Sequence, residues 1–449
     1  MFKEEQAVSN KAVLDVNDKP TPGQLVILSL QHMFAMFGST ILVPKLVGLS
    51  PAIALLTSGI ATIIFLLITQ FKVPAYLGSS FAFIAPIITV AGLDSAGVAI
   101  NPGNAMIGSM LVGIVYAIVA LLIKLTGHKW LMNLLPPIVV APVIIVIGLG
   151  LSGTAVDMAM NITVEQLNEA TGKMENVQVY SGLHFSAALV TLAAAIIFNV
   201  YFKNILSAMP ILLGLVVGYI YSLFVGIVDF TPVKEASFFA MPEFLIPGVD
   251  YEFKITAAIL AAMVPVVIVT ISEHIGHQLV LGNVVKRDYI KDPGLHRSIL
   301  GDGLGTFVSA LIGGPPKTTY GENIGVLAIT RVYSVYVILG AAIVAILLSF
   351  SGTLMALIST IPTAVLGGIS ILLFGIIASS GLRMFVENKV DFGNNRNMVI
   401  ASVILVIGIG GAKISIESFE LTGMALAAIV GVVLNLVLPG RVKNEDLKH

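Results

Sequence analysis

Long apolar runs separated by short polar or Pro/Gly-containing stretches repeat along almost the whole chain. A helix needs about 20 predominantly apolar residues to cross the roughly 30 Å hydrocarbon core of a bilayer. Runs of about this length predict fourteen membrane-spanning segments, which we number spans 1 to 14. They lie near residues 24–43, 50–70, 74–92, 104–125, 131–151, 182–201, 206–228, 255–280, 298–312, 320–331, 334–351, 357–380, 397–412 and 421–438.

The distribution of basic residues predicts the orientation of these spans. The first 22 residues are polar and lack the apolar core of a signal peptide, so we expect the N-terminus in the cytoplasm. With fourteen spans, 18 of the 24 Lys and Arg residues fall in inner segments, as the positive-inside rule requires. Both termini are therefore expected inside. The six in outer segments are Lys45, Lys173, Lys234, Lys254, Lys317 and Lys413.

The composition supports an all-α polytopic membrane protein. Hydrophobic residues make up 57% of the 449 residues and charged residues only 11%, with a mean hydropathy of +0.99. Soluble domains carry about 25% charged residues, so the composition argues strongly against a water-soluble enzyme. The net charge of −1 gives no support to a nucleic-acid partner. The absence of cysteine rules out disulfides and cysteine metal sites.

Fourteen spans divide into two halves of seven, and an odd number per half places the second half upside down relative to the first. Inverted repeats of this kind are common in secondary transporters, whose substrate lies near the midplane on discontinuous helices. Spans 3 and 10 correspond, and both begin with proline followed by Gly, Ser or Thr, at Pro74–Phe83 and Pro315–Glu322. We expect two short extended strands that pair across the pseudo-twofold axis. Simple proline kinks are the alternative.

Span 8 and the start of span 10 carry the candidate chemistry. Glu273 and His277 are four residues apart, hence on one helix face, and Glu322 begins the helical part of span 10. An ionisable side chain inside a bilayer costs roughly 2.5–3.5 kcal/mol even on the lenient insertion scale, and is by default a functional-site hypothesis. Two carboxylates at one cavity suit a ligand that presents N–H donors and has no negative charge.

Backbone and aromatic groups of the broken spans complete the predicted site. Free N–H groups of Phe81 and Gly321 would bind carbonyl groups of the ligand, and Phe81 or Tyr320 would stack on its face. A planar ring that alternates C=O and N–H, such as a pyrimidinedione, matches this arrangement. His277 either takes part in proton coupling with a nearby Glu or, as a neutral imidazole, only orients Glu273.

Four further polar residues are expected mainly to support the structure. Gln31 and His32 in span 1 are expected to hydrogen-bond the broken strand of span 3, with ligand contact as the alternative. Asp302, in span 9 towards its cytoplasmic end, is interpreted as a packing or capping acid. Asn323 is expected to bond backbone groups that the break in span 10 sets free.

The segment Glu322–Arg331, ENIGVLAITR, fits the signature E/Q/P-N-x-G-x-x-x-x-T-R/K/G, and the chain thereby resembles the nucleobase–ascorbate transporter family. The blocks SLQHMFAMFGST, PAYLGSSFAF, SEHIGH and TTYGENIGVLAITRVYS are similar to its bacterial uracil-transporting branch. The resemblance implies a uracil:proton symporter. Its substrate-binding and proton-coupling positions fall on Phe81, Glu273, His277, Tyr320, Gly321 and Glu322. Phe374 in span 12 departs from the tyrosine expected there.

The same resemblance implies an organisation into a core domain and a gate domain that move in an elevator-like manner. It also implies a homodimer in the lipid of a bacterial cytoplasmic membrane. Transport would be driven by the proton gradient, without a cofactor or metal. The expected parts are a tail (1–23), core halves (24–127 and 255–353), gate halves (128–254 and 354–440) and a second tail (441–449).

Three alternatives stay open. A purine permease of the same family, for xanthine or uric acid, is the nearest, although Glu322 favours pyrimidines. An anion exchanger with the same seven-plus-seven architecture would need an uncompensated Lys or Arg and would not place two acids at the anion. A channel or membrane-embedded zinc hydrolase is disfavoured because the spacing of Glu273, His274 and His277 differs from H-E-x-x-H.

Overall fold

Within the residues that the structure describes, fourteen helical segments correspond to the fourteen predicted spans. The computed structural model describes residues 12–94, 97–168, 173–203, 206–416, 419–421 and 423–440. In these ranges, counting helices that continue across a kink as one, seven apolar helices have at least 18 residues and five have 10–17. Leu295–Leu311 and Gly321–Thr330 complete the fourteen predicted spans.

The first half holds α1 to α9. Its elements are α1 (Pro22–Leu46), α2 (Pro51–Ile68), β1 (Leu77–Ser79), a 3-10 turn (Phe81–Phe83), α3 (Ile84–Ala91), α4 (Pro102–Thr126), α5 (Lys129–Leu134), α6 (Pro137–Leu149), α7 (Ser152–Met160), β2 (Asn161–Asn168), β3 (Lys173–Tyr180), α8 (Gly182–Val200), a 3-10 turn (Leu206–Ala208) and α9 (Pro210–Phe224).

The second half holds α10 to α19. Its elements are α10 (Thr231–Glu235), α11 (Ala257–Met263), α12 (Val266–Val285), a π turn (Ile290–Gly294), α13 (Leu295–Leu311), β4 (Lys317–Thr319), α14 (Gly321–Thr330), α15 (Val335–Ser349), α16 (Gly352–Ser359), α17 (Thr363–Glu387), α18 (Asn395–Ile409), β5 (Ile414–Ile416), β6 (Phe419–Leu421) and α19 (Gly423–Val437).

Proline marks the start of many of these helices. It occupies the first turn of α1, α2, α4, α6 and α9, where its missing N–H has no intrahelical acceptor to lose. At α1 the cap is completed by Thr21 and Gln24, which form a reciprocal capping box. The Pro punctuation that separated the apolar runs in the sequence therefore has a direct structural cause.

The two broken spans pair as predicted. β1 and β4 are antiparallel, with Gly78 opposite Thr318 at the centre of the register. Beyond each strand end the pattern continues, because Ser80 N–H donates to Pro316 O (2.9 Å) and Tyr320 N–H donates to Tyr76 O (3.0 Å). The strand pair is thus symmetric about its centre, which confirms the inverted repeat.

A threonine of the neighbouring helix accepts a hydrogen bond from the first residue of each strand. Leu77 N–H donates to Thr62 Oγ1 of α2 at 2.9 Å, and Lys317 N–H donates to Thr306 Oγ1 of α13 at 3.0 Å. Leu77 and Lys317 are the first residues of β1 and β4, so the two bonds are equivalent across the pseudo-twofold axis. Threonine hydroxyls thereby satisfy backbone groups that a membrane interior would otherwise leave unpaired.

Two further hairpins, β2–β3 and β5–β6, were not predicted. In β2–β3 the β-branched residues alternate and face each other, with Ile162 opposite Val179 and Val164 opposite Val177. This alternation is typical of strands, but it is weak beside the apolar runs of spans 5 and 6.

The last part of the predicted N-terminal tail packs against the rest of the protein. Val16 is fully buried, Tyr333 N–H donates to Leu14 O (2.7 Å), and Val335 N–H donates to Val16 O (3.0 Å). Residues around 14–16 therefore lie against the connection between α14 and α15. Residues 1–11 and 441–449, which belong to the predicted tails, lie outside the described residues.

Helix contacts fall mainly into two groups, which we call the first and second helix groups. The first contains α1, α2, α4, α12, α13 and α15 with the broken spans, and the second contains α6 to α9 and α17 to α19. They meet where α1 contacts α9 and where α12 contacts α6 and α19. The candidate site lies beside α12 at this boundary.

Candidate functional site

Helix α12 brings the predicted site residues together. It contacts the 3-10 turn Phe81–Phe83, strand β4 and helix α14. Glu273 of α12, Phe81 of the turn, and Gly321 and Glu322 of α14 consequently surround one region at the ends of the paired strands.

Glu273 and Glu322 are close enough for the charge of one to act on the other. Glu273 is 8% exposed, and its Oε2 has no hydrogen-bond partner among the described residues. Glu322 accepts a hydrogen bond from Ser39 Oγ of α1 at 3.0 Å. The site therefore offers one carboxyl group that is held by the protein and one with an oxygen left for a ligand or a proton.

Backbone donors lie beside these acids. Phe81 opens the 3-10 turn and Gly321 opens α14, and the first N–H groups of a helix have no intrahelical acceptor. Helix N-termini also carry a partial positive charge that favours oxygen acceptors. The site thus combines acceptors on side chains with donors on the backbone.

His277 connects α12 to the strand pair. It forms a hydrogen bond with the backbone of Thr319, and its Nε2 lies 2.9 Å from the position that a Cβ on Gly321 would occupy. Its Nδ1 has no partner among the described residues. One ring nitrogen thus faces the β4–α14 junction and the other is unpaired, which fits orientation and proton exchange alike.

Tyr320 packs on strand β1. A Cβ placed on Gly78 would lie 1.9 Å from the Tyr320 Cζ, and the hydroxyl donates to Ser79 O at 3.3 Å. The ring therefore supports the strand pair, and its role in binding a substrate stays a prediction.

We expect Gly78→Ala to destabilise the protein, because the added methyl group overlaps the Tyr320 ring and overpacking costs about 1–3 kcal/mol. The measurement is the thermal unfolding midpoint of purified protein in detergent. Gly325→Ala is the matched control, since a Cβ at Gly325 in α14 meets nothing within 4 Å. Equal midpoints for the two variants would contradict the packing described for Tyr320.

The second helix group reaches the site through an aromatic contact. Phe374 of α17 meets Phe81 edge to face, with ring centroids 5.9 Å apart and an interplanar angle of 81°. Close by, Gly276 of α12 packs against Met384 of α17, whose Cε would lie 2.6 Å from an added Cβ. At Phe374, where a tyrosine was expected, the phenyl ring makes an apolar contact with Phe81.

The supporting residues link spans 1, 3 and 10. His32 Nε2 and Asn323 Oδ1 are hydrogen-bonded, and Asn323 Nδ2 donates to Pro74 O at 3.0 Å. His32 thus reaches span 3 through Asn323 rather than by the direct bond that was expected. Gln31 is buried next to it on α1.

Asp302 and His274 form a second buried cluster behind the strands. His274 Nδ1 lies 2.8 Å from Asp302 Oδ2, and its Nε2 lies 2.9 Å from Ser298 Oγ. Thr319 N–H also points to Asp302 Oδ2 at 3.4 Å. Asp302 lies in the middle of α13, where it ties α12 to α13 and β4.

The prediction that Lys317 lies in an outer segment is wrong. Lys317 begins β4 and is 1% exposed. Its Nζ donates to Ala54 O (2.9 Å), Ser58 Oγ (2.9 Å) and Ser79 Oγ (3.3 Å). Because β4 re-enters the interior of the protein, the Lys317 side chain is buried with it. The predicted strand already included Lys317, so the sequence contained the signal for this burial.

The sequence matches a known permease family over residues 23–416. It is 65% identical over 433 residues to the uracil permease of Bacillus caldolyticus and 59% identical over 431 residues to that of Bacillus subtilis (strain 168), covering 96% of each chain in both pairs. Identity to the uracil permease of Escherichia coli (strain K12) is 44% over 427 residues, with 95% of this chain and 94% of the relative covered.

Solved structures with the same fold are more distant in sequence. The transmembrane domain of the cyanobacterial bicarbonate transporter BicA matches with a TM-score of 0.63 and 14% identity, covering 94% of this chain and 99% of that one. The murine anion transporter Slc26a9 matches with a TM-score of 0.64 and 11% identity, covering 94% and 69%. This likeness concerns the fold alone. The family match and the high-identity relatives establish that the chain belongs to the permease family, whose members are multi-pass membrane transport proteins and not enzymes.

Proposed function

We propose that the protein imports uracil together with protons across the cytoplasmic membrane of a bacterium. One observation carries the proposal. The Oε2 of Glu273 is buried and has no hydrogen-bond partner in the part of the chain that the structure describes, and it lies beside Glu322 and the opening N–H groups of two broken helices. A buried polar atom without a partner costs free energy that a ligand or proton removes.

Uracil matches the chemistry of this region. Its ring presents N–H donors to the carboxyl groups of Glu273 and Glu322 and carbonyl acceptors to the N–H groups of Phe81 and Gly321. Its face is flat and apolar enough to stack on the Phe81 ring. The three uracil permeases, 44% to 65% identical, support this assignment.

Proton coupling follows from the pair of acids. Two carboxylates near each other repel when both are charged. Protonation of one of them removes this repulsion and therefore favours the substrate-loaded site. Moving one positive charge inward gains about 2.3 kcal/mol per 100 mV of membrane potential. Glu322 and His277 are the proposed proton-coupling residues. Glu322 is the second acid, and His277 places its Nε2 beside Gly321 while its Nδ1 has no partner within the described ranges.

The arrangement of helices supports an elevator-like motion, with the first helix group as the core and the second as the gate. Glu273, Phe81, Gly321 and Glu322 lie on α12 and the broken spans, whereas Phe374 belongs to the opposing group. The core would therefore carry the whole site past Phe374. A homodimer is proposed from the family resemblance, and cytoplasmic termini are proposed from the distribution of basic residues.

Transport of an anion is less well supported, although the structural neighbours include a bicarbonate transporter. Lys317, which begins β4, donates through its Nζ to three protein oxygens, so its three N–H groups are already used within the protein. Glu273 and Glu322 would also repel negative charge.

The proposal is tested with radiolabelled uracil in proteoliposomes of the purified protein. We expect uptake to be stimulated by an inward proton gradient and abolished by a protonophore, with excess unlabelled xanthine competing only weakly. Protein-free liposomes are the control. Equal competition by xanthine would favour a purine permease, and uptake indifferent to the gradient would contradict proton coupling.

A further inference from the structure

Lys317 is a buried basic side chain that the proposed transport reaction does not use. Its Nζ contacts three neutral oxygens, Ala54 O and Ser58 Oγ of α2 and Ser79 Oγ of β1. Ion pairs within 4.0 Å occur elsewhere in the described part of the chain, but none there involves Lys317. A lysine this deeply buried is rare unless it is paired with a carboxylate.

The three oxygens are arranged to accept hydrogen bonds. Ser58 Oγ donates its own hydrogen to Ala54 O at 2.8 Å, so its remaining lone pairs face the Lys317 Nζ. Ala54 O is a carbonyl and can only accept. Carbonyl and hydroxyl oxygens gathered around one positive group are the ligand set of a monovalent-cation site rather than of an ion pair.

The pseudo-twofold axis allows an internal comparison. It relates Lys317 to Leu77 and, through the two threonine bonds, α13 to α2. Counting back four residues from each threonine, Ser58 of α2 corresponds to Asp302 of α13.

The equivalent position in the other half also holds a basic nitrogen. There the strand residue is Leu77, which packs against Gly305 of α13, and a side chain of α12 takes the place of the lysine. His274 contacts Asp302 at 2.8 Å and Thr319 Oγ1 at 3.4 Å. Both halves thus place a side-chain nitrogen between helix and strand, but only the Lys317 side is built of neutral oxygens.

We propose that Ala54 O, Ser58 Oγ and Ser79 Oγ form a monovalent-cation site, which the chain fills with the tethered ammonium group of Lys317. The bound group joins α2 to both strands. Ser79 is two residues before Phe81 and Lys317 is four before Gly321, so the site holds the backbone that presents the two binding N–H groups. No cation from solution is needed while Lys317 is present.

Removing the side chain beyond Cβ should open a cavity that a free cation can enter. We expect Lys317→Ala to lower the thermal unfolding midpoint of the purified, substrate-free protein in detergent. Ammonium chloride should restore much of this loss, whereas choline chloride at equal ionic strength should not, because choline is too large for the cavity. The wild-type protein should respond equally to both salts.

Two variants separate site occupancy from general salt effects. Lys317→Met fills the cavity without a charge and should show no ammonium response. The double variant Lys317→Ala/Ser58→Ala lacks one oxygen of the site and should lose most of the response. A Lys317→Ala protein that elutes as folded yet shows no difference between ammonium and choline would overturn the proposal, as would an undiminished response in the double variant.

A second measurement applies if Lys317→Ala does not fold. Ser58→Ala should lower the midpoint of the wild-type protein but not that of Lys317→Met, because its partner is absent there. Equal losses in both backgrounds would overturn the proposal. All these measurements use protein without substrate, so they stand or fall separately from uracil transport.

Discussion

Glu322→Gln protein is expected to take up uracil about 10- to 100-fold more slowly than wild-type protein at low uracil concentration. Hydrogen bonds to charged groups contribute about 1.5–3 kcal/mol, and each 1.4 kcal/mol corresponds to about tenfold in affinity. An amide keeps the shape and can still accept from Ser39 Oγ, which lies 3.0 Å from Glu322 Oε1. It cannot bind and release the proposed proton, so the remaining uptake should no longer respond to a proton gradient.

The measurement is the initial rate of radiolabelled uracil uptake into proteoliposomes with and without the gradient. Glu387→Gln is the matched control, since Glu387 is an exposed acid in the last turn of α17 and should behave as wild type. Gradient-stimulated uptake at the wild-type rate in Glu322→Gln would refute the role assigned to this carboxyl group.

Much of the fold follows from the sequence because lipid imposes simple rules. Apolar runs of membrane-spanning length fix the number of spans, and unpaired backbone is tolerated at that depth only within protein. Pro74 and Pro315 begin segments that are poor helices at corresponding places in an inverted repeat. Pairing of the two strands is the solution that satisfies their backbone, and the structure has it.

The misplaced charge of Lys317 shows where this reasoning fails. The positive-inside rule assigns a residue by its position between two apolar runs. A re-entrant segment returns to the membrane interior before its apolar run begins, so Lys317 was counted outside while its side chain is buried against α2. The β2–β3 hairpin was missed for another reason, since surface strands are stabilised by cross-strand pairs that have no counterpart in hydropathy.

The candidate site was predictable only as far as the repeat reaches. The sequence allowed Glu273 and Glu322 to be assigned to one site, because span 8 and the broken span 10 belong to the same half of the repeat. The contact between Phe81 and Phe374 joins the two groups, and a single sequence does not show which face of α17 will meet the 3-10 turn. The link from His32 through Asn323 likewise depends on how spans 1 and 10 pack.

Glu273→Gln is expected to separate stability from binding. In the substrate-free protein the Oε2 of Glu273 is buried, has no partner among residues whose placement is described, and is close to the carboxyl group of Glu322. A neutral amide at this position should therefore raise the thermal unfolding midpoint. The same change replaces an acceptor by an NH2 donor, which would face the N–H of uracil in the proposed binding mode. Binding should therefore weaken by about 10- to 100-fold, in line with the loss of one charged hydrogen bond.

Thermal unfolding without ligand and isothermal titration with uracil measure the two effects on the same sample. Asp302→Asn serves as the comparison, because Asp302 is equally buried but bonded to His274, so its neutralisation should lower the midpoint. A carboxyl group that lowers the stability of the free protein, and stabilises the protein only when uracil is bound, behaves as a binding residue. If Glu273→Gln instead lost stability and kept its affinity for uracil, Glu273 would be a structural acid and the site would lie elsewhere.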